Sequence, residues 1–355
     1  VASWIPGPGP GRDDDPLTAL LPPALALAHD ELWRRLWAPG TADPVVLEGA
    51  RLRTAVLLGC PGQAAVRLAP ARAAGLDEEA GAALAAGRPA TGIPAAATAL
   101  ALAEQFVLDP AGVSPGDRAG ARHSLGLPGL VGLVYGLALF DGMDRARLVL
   151  GLEPEEDAVP RVLDPPAPRR PAPPGPAGGA APGEAAFAAA QPGLYRDFTD
   201  LYAALWHEGV VDHPTKEAVR LRNARVTGCR FCRNVRFARA REDGLGEDLV
   251  DLITDDHARS ALPARLRRAL ALADVFLLDP GGGTPPRLRA ELLEEFGPAG
   301  TVELAFGLAL FAGFSKGTTG ARTWGQDAVA LGAFPEDFPV QVIPTPVASP
   351  EPPGP

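Results

Sequence analysis

Apolar residues along this chain recur at steps of three and four. Between residues 195 and 206 the positions Tyr195, Phe198, Leu201, Tyr202, Leu205 and Trp206 fall on one face of an amphipathic helix. Thr215 is a plausible N-cap for the next helix, which runs through Val219, Leu221 and Val226 toward Gly228. The pattern predicts a third helix from about Cys229 to Gly244, a suitable residue just beyond a helix end. Leu262–Leu277 and Arg287–Phe314 predict two more, separated by an Asp279-Pro-Gly-Gly-Gly turn. Alternating β-branched residues are almost absent, so the expected fold class is all-α. The longest apolar run, Gly129 to Phe140, is too short to span a bilayer.

The pattern also repeats. With a shift of 169, Leu36–Glu78 lies on Leu205–Glu247 without a gap, and nineteen of those 43 positions are identical. The matches include Trp37/Trp206, Asp43/Asp212, Glu48/Glu217, the Arg-Leu-Arg runs at 51–53 and 220–222, Cys60/Cys229 and Arg67/Arg236. Further on, LALAEQFVLDP (100–110) aligns with LALADVFLLDP (270–280), and YGLALFDG (135–142) with FGLALFAG (306–313). Shared Trp, Cys, Glu and Asp-Pro positions are not explained by alanine richness. We read them as a duplicated unit, with repeats at 17–155 and 193–334. The segment 156–192, dominated by Pro, Ala and Gly between Pro165 and Pro182, is expected to be an extended linker. Residues 1–16 are expected to be disordered or extended, and 335–355 form a proline-rich tail.

Composition narrows the function. A net charge of −10 argues against nucleic-acid and anionic-membrane partners. Three cysteines, two of them three residues apart, do not make a secreted disulfide framework. They suggest a reducing, cytoplasmic setting and a reactive pair. The N-terminal residues show no charged-then-apolar leader.

The chemistry lies in Glu217, eleven residues, Cys229-Arg-Phe-Cys232, and then Arg236. Cysteines three apart on a helix share a face and can close a disulfide with little backbone movement. A helix start and nearby arginine favour the thiolate, which can attack a peroxide and be resolved to a disulfide. Glu217 could accept or relay a proton if burial raises its pKa. A zinc site needs about four ligands, and no second Cys-x-x-Cys or nearby His pair supplies them, so no metal or cofactor is expected.

This arrangement, with its flanking text LWHEGVVDHPTKEAVRLRNARVTGC, resembles the AhpD-like alkylhydroperoxidases, which belong with the carboxymuconolactone decarboxylases. The resemblance covers roughly 36–150 and 195–325. It implies two tandem helical repeats related by pseudo-twofold symmetry, and a homo-oligomer such as a trimer of chains. It also implies that Cys232 forms a sulfenic acid, that Cys229 resolves it, and that Glu217 belongs to a proton relay. The substrates implied are a hydroperoxide or a disulfide, with a thiol electron donor. In that family the relay ends in a histidine, and here its position holds Arg236. Arginine cannot shuttle protons near neutral pH, so thiol–disulfide exchange fits this residue better than peroxidase turnover. Arg236 can instead hold a thiolate or pair with Glu217, and His207 or His213 could substitute as proton carriers.

The first repeat keeps Glu48, Cys60 and Arg67 but has Gln63 in place of the second cysteine, so no internal disulfide can form there. The persistence of Glu48 and Arg67 also fits a structural ion pair between helices. Trp37, Trp206, Phe276 and Phe306 read as core or interface residues. The arginines at 220, 222, 225, 230, 233, 239 and 241 read as a solvated helix face. Two other functional classes remain: a cofactor-free lyase resembling the decarboxylase branch, and a non-catalytic assembly protein.

Overall fold

The computed structural model describes residues 3–5, 16–88, 94–153, 160–174, 188–321 and 342–344. The first half carries α1 (Pro23–Leu36), α2 (Pro44–Leu58), α3 (Pro61–Ala64), α4 (Pro94–Leu108) and α5 (Pro115–Leu150). The second carries α6 (Pro192–His207), α7 (His213–Val226), α8 (Arg230–Asn234), α9 (Ala264–Leu278) and α10 (Pro286–Ala321). Short helical turns connect them, and the fold is all-α. Among the described residues the strands are three residues each. β1 (Val66–Leu68) pairs in parallel with β2 (Arg161–Leu163), and β3 (Val235–Phe237) pairs antiparallel with β4 (Val342–Pro344).

Local chemistry sets the helix ends. Asp43 caps α2 by accepting from the amides of Val45 (2.8 Å) and Val46 (3.3 Å). Asp212 caps α7 by accepting from the amide of Thr215 at 2.9 Å. Thr215 is therefore not the cap expected from the sequence; it supplies the N–H that the Asp212 carboxylate satisfies. The two longest helices, α5 and α10, each bend at a glycine with positive φ, Gly126 (67°) and Gly297 (64°).

The third helix of the second half does not run from Cys229 to Gly244. It stops at Asn234, passes through β3 and resumes at Ala238. The cause is a buried charge. The Arg220 guanidinium takes the carbonyls of Cys232 and Val235, each at 2.7 Å, and Glu217 accepts from the Phe237 amide at 3.4 Å. Those backbone groups are the ones a continuing helix would pair internally. The chain leaves the helix because better partners lie outside it.

One hydrophobic core runs through both halves. It includes Leu32, Leu36, Leu47, Leu137 and Phe140 from the first, and Leu205, Trp206, Phe276, Phe306 and Leu310 from the second. The long helices α5 and α10 cross at glycine. A Cβ on Gly142 would meet the Ala309 carbonyl oxygen at 2.5 Å, and one on Gly313 would meet that of Ala138 at 2.5 Å. Only backbone-to-backbone contact fits at these two points. Beside the crossing, Asp141 of α5 is buried between Arg145 (3.0 Å) and Lys316 of α10 (2.7 Å). Burial alone would raise the Asp141 pKa, but Lys316 and Arg145 hold it below the ordinary carboxylate value.

By length and composition α5 and α10 could cross a membrane, which the run Gly129–Phe140 had not suggested. Half of the apolar window of α5 and 78% of that of α10 are buried within the fold, as in core helices. The linker residues described are tied to the halves rather than free. The amides of Arg169 and Arg170 bond to the Glu31 carboxylate at 3.0 and 3.1 Å, and Arg196 donates to the Pro171 carbonyl at 2.8 Å. Of the expected N-terminal tail, Trp4 donates to the Val149 carbonyl at 3.1 Å and Ile5 is buried. The rest of the linker and most of the two tails lie outside the described residues.

Candidate functional site

The site is built on α7, whose C-terminal end delivers the chain to the cysteines. After Gly228, in the left-handed conformation at φ 66°, the Cys229 amide bonds back to the Ala224 carbonyl at 3.0 Å. Cys229 then serves as the N-cap of α8, its sulfur accepting from the Cys232 amide at 3.2 Å. The two cysteines are disulfide-bonded, with Cα atoms 5.3 Å apart. α8 has only five residues, so its dipole contributes little to stabilising a thiolate. The pair sits among Ala224, Phe231, Val235 and Phe314. Both cysteines are buried, Cys229 fully and Cys232 with 5% exposure.

Glu217 lies twelve residues before Cys229, in the first half of α7, and is bound to Arg220, not to a sulfur. The two side chains form a bidentate pair at 2.6 and 2.7 Å, both buried, with the guanidinium also over the Phe237 ring at 5.0 Å. Burial works against the charged guanidinium, yet Glu217 beside it keeps the Arg220 pKa above its ordinary value. The first half repeats the arrangement without a disulfide. Arg51 pairs with Glu48 through two bonds of 2.8 Å and takes the carbonyls of Gln63 (2.8 Å) and Val66 (2.6 Å). The motif shapes the turn whether or not a second cysteine is present.

Arg236 pairs with neither Glu217 nor a sulfur. It lies on β3 and its guanidinium meets Glu247 at 3.0 and 3.1 Å near the surface, as Arg67 meets Glu78 in the first half. The reason is alternation along the strand: Val235 and Phe237 point inward, which turns Arg236 out. His213 stacks on Trp206 with ring centres 5.6 Å apart, and His207 lies 6.5 Å from His213. His207 ends α6 and His213 opens α7, while the disulfide follows the C-terminal end of α7. The arginine run is not a solvated face throughout. Arg220 is buried on Glu217, and Arg222 is buried on Asp274 and Asp255, each at 2.6 Å. Trp206, Phe276 and Phe306 are core residues, as is Trp37.

Sequence reasoning missed two residues that touch or support the sulfurs. Ser315 of α10 places its hydroxyl 3.4 Å from the Cys232 sulfur. Asn223 of α7 donates to that hydroxyl at 2.8 Å and to the Phe311 carbonyl at 3.0 Å. A signal existed in the repeat: the aligned positions in the first half hold Asp144 for Ser315 and Thr54 for Asn223, changing together with Gln63 for Cys232. In that half Cys60 is buried beside the Asp144 carbonyl at 3.8 Å. Burial, then Asp144 and Glu153, push its thiol far above the ordinary range, which disfavours the nucleophilic thiolate. Among the described residues no cluster of three or more His, Cys, Asp or Glu could hold a metal ion.

A family model described as the carboxymuconolactone decarboxylase family matches residues 192–274. That span runs from the start of α6 into α9, so it contains Glu217 and both cysteines and leaves Ser315 outside. No curated protein and no solved structure matched the chain. Residues 192–274 are thus similar to the carboxymuconolactone decarboxylase family, and the match supports a place for this segment in the AhpD-like superfamily.

Proposed function

We propose that the chain is an AhpD-like thiol–disulfide oxidoreductase that cycles Cys229 and Cys232 between dithiol and disulfide. The observation that carries this reading is the bonded pair in the capping turn of α8, whose second cysteine, Cys232, keeps the slight exposure that Cys229 lacks. The oxidant in this reading is a small hydroperoxide. The Cys232 thiolate attacks its outer oxygen, the O–O bond breaks, and sulfur is oxidised to a sulfenic acid while the alkoxide leaves and takes a proton. The Cys229 thiol then attacks the sulfenic sulfur, the S–S bond forms, and water departs. Two thiols of an external donor reduce the disulfide through a mixed disulfide. A bulky protein disulfide would reach the pair only if α8 opened. Arg236 takes no part in this scheme, because it is engaged with Glu247. A trimeric assembly and a cytoplasmic location belong to the same proposal.

Thiol titration tests it. One equivalent of peroxide added to the reduced chain should remove two of its three thiols, with peptide mapping placing the loss at Cys229 and Cys232 and sparing Cys60. Retention of both second-half thiols would refute the reading.

A second reading follows from the description of the matching family: a cofactor-free lyase acting on a lactone. Such activity would survive replacement of both Cys229 and Cys232 by serine, whereas redox cycling would not.

A further inference from the structure

We propose that Ser315, oriented by Asn223, is a positioning residue that stabilises the Cys232 thiolate when the disulfide is reduced. The inference rests on the redox reading above and on the direction of each hydrogen bond at the serine. A backbone carbonyl only accepts, so the Asn223 nitrogen is the amide atom facing the Phe311 carbonyl at 3.0 Å, and the flipped amide is excluded. That same nitrogen must donate to the Ser315 oxygen at 2.8 Å. The serine oxygen is thus an acceptor toward Asn223, which leaves its proton for another group, and the Cys232 sulfur lies 3.4 Å away. Asn223, Ser315 and Cys232 are all buried, so the hydroxyl supplies what water would supply to an exposed thiolate.

The charged groups around the sulfur leave this bond a distinct role. From α7, Arg220 approaches the Cys232 carbonyl but is neutralised by Glu217. From α8 itself, Arg233 is exposed, and on β3 Arg236 is engaged by Glu247. From α10, Lys316 is paired with Asp141. The first half provides an internal contrast. Without a second cysteine, Thr54 turns its hydroxyl to the Ala50 carbonyl at 2.9 Å, and Asp144 pairs with Arg147 at 3.2 Å. A carboxylate at the place of Ser315 would repel a thiolate; the hydroxyl and its amide support occur together where the second sulfur does.

The test uses the full-length chain and its Ser315→Ala and Ser315→Thr variants, reduced with dithiothreitol. The pH dependence of Cys232 alkylation by iodoacetamide, read by peptide mass, gives the thiolate pKa whether or not the chain turns over peroxide. Ser315→Ala should raise that pKa by about one unit. The lost stabilisation of the reduced form should also make the potential more negative by about 30 mV, a tenfold change in equilibrium. Ser315→Thr, which keeps the hydroxyl, should restore wild-type values. Unchanged pKa and potential in Ser315→Ala would overturn the role of Ser315. A wild-type chain that shows the pKa difference yet never closes its disulfide with peroxide would instead overturn the redox reading.

Discussion

Replacing Glu217 by alanine should destabilise the chain by about 3–5 kcal/mol, because it strands the Arg220 charge in the core. Arg220 is buried, and Glu217 is its carboxylate partner through two short bonds. Against a domain stability of roughly 5–15 kcal/mol, such a loss is severe. Denaturant unfolding would measure it, and the double variant Glu217→Ala/Arg220→Met should recover part of the loss, since it removes the stranded charge but leaves the Cys232 and Val235 carbonyls without their donor. Glu48→Ala should act similarly through Arg51 in the half that has no disulfide. Equal stability of Glu217→Ala and wild type would refute the structural role. Glu217→Gln separates this role from a relay: a proton carrier loses turnover with the fold intact, while a scaffold residue loses stability first.

The second large effect is on chemistry. Cys232→Ser should abolish peroxide-dependent loss of two thiols and any associated turnover, with no residual slow phase. Cys229→Ser should behave differently, stopping at a sulfenic acid on Cys232 that a dimedone probe would trap. The stability cost is separable from the chemical one. A disulfide across a separation of three residues closes a very short loop, which accounts for about 2 kcal/mol in the chain-entropy model. Both serine variants should therefore remain folded while differing in the trapped species. A dimedone adduct on Cys229 in the Cys232→Ser variant would reverse the assigned order of attack.

Much of the fold was legible along the chain because helix periodicity is a local property. The faces of α6, α7 and α9, the turn after Asp279 and the place of the cysteine pair all follow from spacing alone. What was not legible depends on contacts across space. The helix after Cys229 looked continuous because nothing local announces that Arg220, on the preceding helix, will claim its carbonyls. Arg236 was read as facing the sulfurs because helical numbering puts it one turn beyond Cys232. Three residues of strand reverse that direction. Thr215 outranked Asp212 as a cap only because the helix start was placed a turn too late. Ser315 lies 83 residues from Cys232, and only the comparison of the two halves could have pointed to it. The buried glutamate was found, but its arginine was assigned to water because a run of like charges hides the members, Arg220 and Arg222, that are buried.

Lys316 follows Ser315 directly, and its ammonium ends on Asp141, which the opposite half contributes. The half without a disulfide thus helps fix the seat of the hydroxyl that faces the Cys232 sulfur. Lesions in an apparently silent half would register as altered sulfur reactivity, and a genetic screen for lost cycling should recover Asp141 among its hits.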